Sequence, residues 1–168
     1  MSELWDLYDK YRKPLNKIHT RGVPLSKGEY HIVVDIWTIN KDGKILIDKR
    51  HPNKKFGGLW ECTGGSVIIG EDSITGALRE LEEEVGIKAT SKELILMHSI
   101  RLDDRFVDTY IVNKDVDIDS LVLQEEEVTE ARFVTLNELD ELCLNNKIVI
   151  KERYKMYRDK IALYARED

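Results

Sequence analysis

Three glutamates and one arginine form the pattern in this sequence that points most directly to chemistry. Glu80, Glu83 and Glu84 stand at positions i, i+3 and i+4, and Arg79 directly precedes them. In a helix of 3.6 residues per turn, these four side chains lie within an arc of about 140°. Crowded carboxylates repel one another unless a cation lies among them, and hard divalent cations such as Mg²⁺ prefer oxygen ligands. The pattern therefore predicts a metal site on one face of a helix.

The sequence around these residues predicts an amphipathic helix that begins after a glycine turn. Gly64 and Gly65 precede the helix, and Gly86 ends it. Four apolar residues fall within about 60° of arc on another side; they are Ile74, Leu78, Leu81 and Val85. Glycine allows backbone groups to approach a ligand closely. We therefore expect one face of the helix to be buried and the other to face a ligand.

An acidic helix face can also be an ordinary solvated surface, and for an arbitrary helix that is the more frequent case. Here the glycine turn and the spacing of the carboxylates favour the metal site. Arg79 adds a third feature, because its guanidinium can orient the acids through a bidentate contact, for which Glu71 is a candidate partner.

Composition predicts a globular protein with a single domain. The chain has 168 residues, of which 42% are hydrophobic and 35% are charged, and this is enough to bury a substantial core. The net charge of -6 disfavours binding to a nucleic-acid polymer. Cys62 and Cys143 form no CxxC pair, the N-terminus lacks the features of a signal peptide, and no apolar run is long enough to span a membrane. We therefore expect a cytoplasmic protein.

Hydrophobic periodicity predicts several strands and few helices. Strands are predicted at 31–40, 44–50, 60–63, 92–101, 106–112 and 130–135, and later helices at 136–145 and about 148–164. Residues 3–9 and 17–20 fit a hairpin, and residues 3–11 alternatively fit a helical turn. This order of elements indicates an α+β or layered α/β/α domain.

The stretch 64–87 also resembles the signature of the Nudix hydrolases. Nine positions that are fixed in that signature are filled here, namely Gly65, Glu71, Arg79, Glu80, Leu81, Glu83, Glu84, Gly86 and Ile87. The resemblance covers roughly residues 30–145. It implies an α+β Nudix fold, an α/β/α sandwich in which a mixed sheet lies between helices and the signature forms a loop-helix-loop. It also implies one Nudix domain over 1–168, with an N-terminal extension at 1–28, a core at 30–145 and a C-terminal helix at 148–168.

The resemblance further implies a reaction, the hydrolysis of a nucleoside diphosphate linked to some moiety X, with Mg²⁺ or Mn²⁺ as cofactor. By position, four groups would bind the metal, namely the carboxylates of Glu80, Glu83 and Glu84 and the carbonyl group of Gly65. Glu71 and Arg79 would hold the loop against the catalytic helix.

The general base of this family varies between members. Four glutamates are candidates, two in the signature and two in a later loop, namely Glu80, Glu83, Glu126 and Glu127. We prefer Glu127 among those outside the signature. Substrate phosphates also need positive partners besides the metal. Arg50 is the preferred phosphate contact and Lys55 the second, although both fit ordinary surface cations. The expected partner is a small-molecule diphosphate, and homodimers are frequent in such families.

Two other functions are consistent with parts of the sequence. The segment ELWDLYD at 3–9 and Tyr30-His31 resemble the branch that contains isopentenyl-diphosphate isomerase. That isomerase uses a cysteine and metal-binding histidines, whereas this chain has Gly64 and Ser66 at the positions expected for the cysteine and one histidine. The third hypothesis is a non-catalytic sensor of diphosphate ligands, which the complete set of signature glutamates disfavours.

Overall fold

The structure is a computed structural model that describes residues 2–165. Within that range, the strands are β1 (Leu4–Tyr8), β2 (Pro14–Thr20), β3 (His31–Ile39), β4 (Ile45–Arg50), β5 (Trp60–Glu61), β6 (Thr63–Ser66), β7 (Leu94–Arg101), β8 (Arg105–Asn113) and β9 (Val128–Val134). The α-helices are α1 (Ser73–Val85), α2 (Leu136–Leu144) and α3 (Lys151–Ala162), and a short 3₁₀-helix covers Ile118–Ser120. None of these described helices is both long and apolar enough to cross a membrane.

Strands β3 to β9 form one mixed sheet in which β3 is central. Its parallel neighbour is β8, and the other pairings of this sheet are antiparallel. β3 and β4 pair only where Ile39 lies opposite Ile45, next to their hairpin turn. Beyond that point the two strands separate, since β6 pairs with β3 whereas β5 and β9 pair with β4. Residues from both sides of this separation line the cleft described below.

Helices cover both faces of the sheet. Along β3, Val34 and Ile36 belong to the apolar cluster that contains α1, whereas Trp37 and Ile39 belong to the cluster that contains α2 and α3. This division follows from strand geometry, because successive side chains point to opposite faces of a sheet. All four side chains are buried. The predicted α/β/α sandwich with a mixed sheet is therefore confirmed.

The N-terminal residues form a hairpin of β1 and β2, and the alternative of a helical turn was wrong. Trp5 and Leu7 are buried, and the Trp5 ring stacks on that of His31 with the centroids 4.1 Å apart. Tyr8 and Tyr30 exchange two backbone hydrogen bonds of 2.8 and 2.9 Å. The hairpin is therefore docked against the start of β3.

Most predicted bounds lie within two residues of those in the structure, and two elements differ more than that. The single strand predicted at 60–63 is two short strands, because Trp60–Glu61 pairs with β4 and Thr63–Ser66 pairs with β3. The last helix begins at Lys151 rather than near 148, because the backbone of Trp60 bonds to the Lys147 carbonyl and the Val149 N–H. Residues 166–168 of the predicted C-terminal helix lie outside the described residues.

Asp108 of β8 joins three distant parts of the chain. Its buried carboxylate accepts hydrogen bonds from Ser99 of β7 at 2.7 Å and from Ser73 at the start of α1 at 2.5 Å. Arg12, in the turn of the N-terminal hairpin, adds a bidentate contact. Burial alone would raise the pKa of Asp108, but these donors outweigh it and lower that pKa. The charged carboxylate thus fastens the hairpin and α1 to the sheet.

Replacing this carboxylate tests its contribution to stability. Asp108→Asn is expected to lower the free energy of unfolding by about 2–3 kcal/mol, because hydrogen bonds to a buried charge are lost. Since the folded-state pKa of Asp108 is depressed, the stabilisation is present above the unfolded-state pKa of about 3.9 and is lost as pH falls through the folded-state pKa. Urea unfolding of both proteins at a series of pH values measures this difference.

The exposed Asp103 provides a control for the loss of one negative charge. Asp103→Asn is expected to leave stability nearly unchanged. An equal loss in both variants, or a loss in Asp108→Asn that persists unchanged well below pH 4, would contradict the assigned role.

Candidate metal and diphosphate site

Helix α1 presents the predicted acidic face to the cleft. Asp72 caps the first turn by accepting a hydrogen bond from the Thr75 N–H at 2.8 Å. Gly86 ends the helix with a φ of 74°, a left-handed conformation that glycine adopts without steric cost. Leu81 and Val85 are fully buried. Because these apolar side chains fix the rotation of α1 about its axis, the acidic side chains are directed away from the core and toward the cleft.

Arg79 lies among the carboxylates and binds several of them at once. Its Nε and Nη2 donate to the two oxygens of Glu71 at 2.9 and 3.1 Å, and Nη2 also donates to the Ser66 carbonyl at 2.9 Å. Its Nη1 donates to Glu80 at 2.9 Å and to Glu83 at 3.1 Å. Burial alone would lower the pKa of Arg79, but the hydrogen bonds and charges of the acids raise it, so the guanidinium remains charged. The bidentate contact with Glu71 ties the preceding loop to α1.

Glu84 lies deeper than the other acids of this face. Its carboxylate accepts a hydrogen bond from the Gly64 N–H at 3.0 Å. Burial and the charges of Asp48 and Glu80 raise the pKa of Glu84 well above its ordinary value. Asp48 is also buried, and only one of its oxygens has a hydrogen-bond donor among the described residues, the Thr63 hydroxyl at 3.1 Å. A bound cation would compensate this buried negative charge.

A side chain at Gly64 would meet backbone atoms, whereas one at Gly65 would meet a movable carboxylate. A Cβ atom at position 65 would lie 2.3 Å from Oε1 of Glu80, so this glycine allows the carboxylate to approach the backbone. A Cβ atom at position 64 would lie 2.3 Å from the Val34 carbonyl oxygen, so this glycine allows β6 to pair closely with β3. The backbone at Gly65 therefore lies beside the acids of α1.

The donor set fits a hard divalent cation, although its side chains do not surround one point. Among residues 2–165, no group of three or more carboxylate, histidine or cysteine side chains is arranged to hold a metal ion. Arg79 instead engages Glu80 and Glu83, and the Gly64 N–H engages Glu84. The Glu83 side chain is 52% exposed, and an exposed ion pair contributes little stability, so this carboxylate can leave Arg79 at low cost. Oxygen donors of this kind suit Mg²⁺ or Mn²⁺.

The cleft next to this face has a volume of about 470 Å³, and charged side chains form most of its wall. Both predicted phosphate contacts line it. The Arg50 guanidinium donates to Glu61 at 2.5 Å and to the Lys55 carbonyl at 2.9 Å, so it is engaged in holding the loop that follows β4. The Lys55 ammonium has no carboxylate partner in the described part of the chain. Lys55 is therefore better placed than Arg50 to meet an anion directly.

Glu127, the preferred proton acceptor outside α1, also lines the cleft, whereas Glu126 does not. Lys54 contacts the Glu127 carboxylate, and the Glu127 carbonyl accepts a hydrogen bond from the His51 N–H at 2.8 Å. These contacts join the loop before β9 to the loop after β4. The structure therefore holds Glu127 on the wall of the cleft.

Sequence reasoning missed two features of this cleft. Glu61 of β5 lines it, and burial raises the pKa of Glu61 to about 7 although Arg50 opposes the shift. Arg153 of α3 donates to both oxygens of Asp35 at 2.9 and 3.0 Å. Burial alone would lower the pKa of Arg153, but Asp35 raises it. An acid within the otherwise apolar strand β3 was the available signal for this ion pair, although the sequence did not identify the arginine.

The geometry near β6 does not fit the isomerase alternative. A side chain at Gly64, where the isomerase cysteine is expected, would collide with the backbone of Val34. Ser66 occupies the position expected for a histidine. Cys62 is the nearest cysteine in the sequence, but it is buried, and burial raises the pKa of its thiol well above the usual value. The Cys62 thiol is therefore kept protonated near neutral pH.

A protein-family model and several known proteins match most of this chain. The NUDIX domain model matches residues 29–159. An uncharacterized Nudix hydrolase of Listeria monocytogenes is 38% identical over 149 residues, which cover 88% of each chain. An ADP-ribose pyrophosphatase of Methanocaldococcus jannaschii is 31% identical over 117 residues, which cover 68% of each chain.

The fold also has a counterpart among solved structures. The crystal structure of DR0079 from Deinococcus radiodurans superposes with a TM-score of 0.76 and covers 94% of this chain and 98% of that chain. The two sequences are 19% identical, so this likeness concerns the fold alone.

The two neighbouring glycines provide a test that separates folding from metal binding. Gly64→Ala is expected to lower the free energy of unfolding by about 1–3 kcal/mol, because its methyl group meets backbone atoms that cannot move freely. Gly65→Ala is expected to fold normally but to bind Mn²⁺ at least about tenfold more weakly, because its methyl group displaces the flexible carboxylate of Glu80. Urea unfolding and calorimetric titration with Mn²⁺ measure the two effects. Unchanged Mn²⁺ affinity in Gly65→Ala would show that this backbone approach has no part in the metal site.

Proposed function

Because the chain belongs to the Nudix hydrolase family, we propose that it hydrolyses the diphosphate linkage of a nucleoside diphosphate bound to another moiety, X, or of a similar organic pyrophosphate. The observation that carries this proposal is that the acidic face of α1 lines the same cleft as Lys55 and Arg50. A diphosphate needs both features, namely metal-binding oxygens and positive groups for its phosphates. The similar ADP-ribose pyrophosphatase has a name that fits this substrate class.

The metal-binding part of the proposal rests on α1 and β6. Glu80, Glu83 and Glu84 would hold Mg²⁺ or Mn²⁺, with the Gly65 carbonyl as a further ligand. When bound, such an ion neutralises charge on the diphosphate oxygens and lowers the pKa of a coordinated water. Arg79 acts as a positioning residue, because its contacts with Glu71, Glu80 and Glu83 hold the acids in place.

The remaining roles belong to the two loops that line the cleft. Lys55 would bind a substrate phosphate, and Arg50 would keep the Lys55 backbone in position through the hydrogen bond to its carbonyl. Glu127 would accept the proton of the attacking water, since Lys54 holds its carboxylate on the cleft wall. Glu80 and Glu83 are the alternative acceptors on α1. The proposal places the enzyme in the cytoplasm, where its two free cysteines would stay reduced.

Two glutamates that are neighbours in the sequence provide a matched test of this function. Glu83→Gln is expected to lower metal-dependent turnover by a factor of about 10² or more, because one carboxylate ligand is lost while the fold is retained. Glu82→Gln is the control, since the Glu82 side chain is 56% exposed and, among residues 2–165, its ion-pair partner is the exposed Lys88. A panel of nucleoside diphosphate compounds with Mg²⁺ or Mn²⁺, scored for release of phosphate or nucleotide, measures turnover.

The same panel includes isopentenyl diphosphate, scored separately for isomerisation. Isomerisation without hydrolysis of any diphosphate would overturn the proposed reaction. Equal turnover of Glu83→Gln and Glu82→Gln would overturn the metal assignment. Binding of nucleotides without turnover of any of them would favour the alternative of a non-catalytic sensor of diphosphate ligands.

A further inference from the structure

Phe56 is an exposed aromatic residue among those that line the charged cleft. It lies in the loop that joins β4 to β5, its side chain lines the cleft, and the residue is 54% exposed. Its φ of 61° lies in the left-handed region, which bulky side chains rarely adopt. Strained backbone of this kind persists where the surrounding structure enforces it, and such positions cluster at ligand-binding sites. Neither the exposure nor the strain serves the packing of the core.

The loop around Phe56 is held in place by hydrogen bonds on both sides. Arg50 exchanges backbone hydrogen bonds with Gly58 and Leu59 at 2.9 and 3.0 Å, and its guanidinium bonds to the Lys55 carbonyl. Lys54, which belongs to the same loop as Phe56, contacts the carboxylate of Glu127 in the loop before β9. The backbone that carries the ring is therefore held in place before any ligand arrives, which reduces the entropy that the loop loses on binding.

Lys55, the residue before Phe56, supplies a positive charge next to this ring. The Lys55 Nζ lies 5.1 Å from the centroid of the Phe56 ring. Among the described residues that line the cleft, Lys55 is also the one cation without a carboxylate partner. An aromatic ring and a cation that has no carboxylate partner are therefore neighbours, and recognition of a planar base attached to a phosphate uses both.

We propose that Phe56 is the platform on which the nucleobase of the substrate stacks, while Lys55 binds the phosphate nearest to that nucleoside. This inference rests on the proposed function, because it assumes that the cleft binds a diphosphate. The cleft wall favours a base over an isoprenoid chain. Charged side chains dominate the wall, and a long hydrocarbon would bury against them with little gain, whereas a base has polar edges and two aromatic faces.

Calorimetric binding of a matched pair of ligands tests the platform without any turnover. Adenosine 5′-(α,β-methylene)diphosphate and methylenediphosphonate both resist hydrolysis, and they differ only in the nucleoside. With Mg²⁺ present, the wild type is expected to bind the nucleotide at least about tenfold more tightly. Phe56→Asn is expected to lose about tenfold in nucleotide affinity and to keep its affinity for methylenediphosphonate. Asparagine removes the ring but tolerates the left-handed backbone, so the loop is retained.

Two further variants distinguish base stacking at position 56 from an unspecific effect of losing an exposed aromatic residue. Phe56→Trp is expected to retain nucleotide affinity, and its fluorescence should be quenched by the nucleotide but not by methylenediphosphonate. Tyr11→Asn is the matched control, because Tyr11 is 70% exposed and has the Lys10 Nζ 4.9 Å from its ring centroid, but it does not line the cleft. Its nucleotide affinity should equal that of the wild type.

The outcomes distinguish this inference from the function on which it rests. Equal affinity of the wild type for both ligands, or unchanged nucleotide affinity in Phe56→Asn, would overturn the platform. If Phe56→Asn bound geranyl diphosphate more weakly and bound the nucleotide with unchanged affinity, the ring would be assigned to the binding of a hydrocarbon chain instead. Nucleotide stacking together with a failure to hydrolyse any diphosphate would overturn the proposed hydrolysis and leave the platform established.

Discussion

One partly buried guanidinium makes the acidic face of α1 compatible with a folded protein. The carboxylates of Glu71, Glu80 and Glu83 would repel one another, but Arg79 donates to all three and also binds a backbone carbonyl of the preceding loop. A lysine could not replace it, because only the planar fork of arginine reaches so many acceptors at once. Glu84 is not among these acceptors, and because it is buried, a metal ion would stabilise the charged form of its carboxylate. Arg79 therefore organises the loop, the helix and the proposed site.

The rest of the fold brings distant segments to this helix face. β3 and β4 separate after their hairpin, and the other strands of the sheet complete each side, so that a cleft can form in the middle of the sheet rather than at its edge. Two ion pairs near the cleft join residues that are distant in the sequence. Arg153 of α3 binds Asp35 of β3, and Lys54 binds Glu127 across two loops. These contacts join segments around the cleft that are distant in the sequence.

The features that the sequence predicted well are those encoded within a few residues. The acidic face of the helix, its end at Gly86 and the strands β3 and β4 depend on local periodicity, and the structure places the two strands within one residue of the predicted bounds. The division of 60–66 into two strands depends on which distant strand each half pairs with, and the contact of Arg153 with Asp35 joins positions far apart in the chain. Residue types alone also do not reveal the left-handed backbone of Phe56. The assigned roles of the acids remain predictions that the geometry supports.

The central claim is that the acids of α1, kept in place by Arg79, form the metal site. An anomalous difference map from crystals soaked in Mn²⁺ tests it most directly, because it locates the ion independently of activity. A peak is expected beside Glu80, Glu83 and Glu84, with Mn²⁺–oxygen distances of roughly 2.2 Å. A peak located only at other carboxylates, or the absence of any peak at Mn²⁺ concentrations that support turnover, would contradict it.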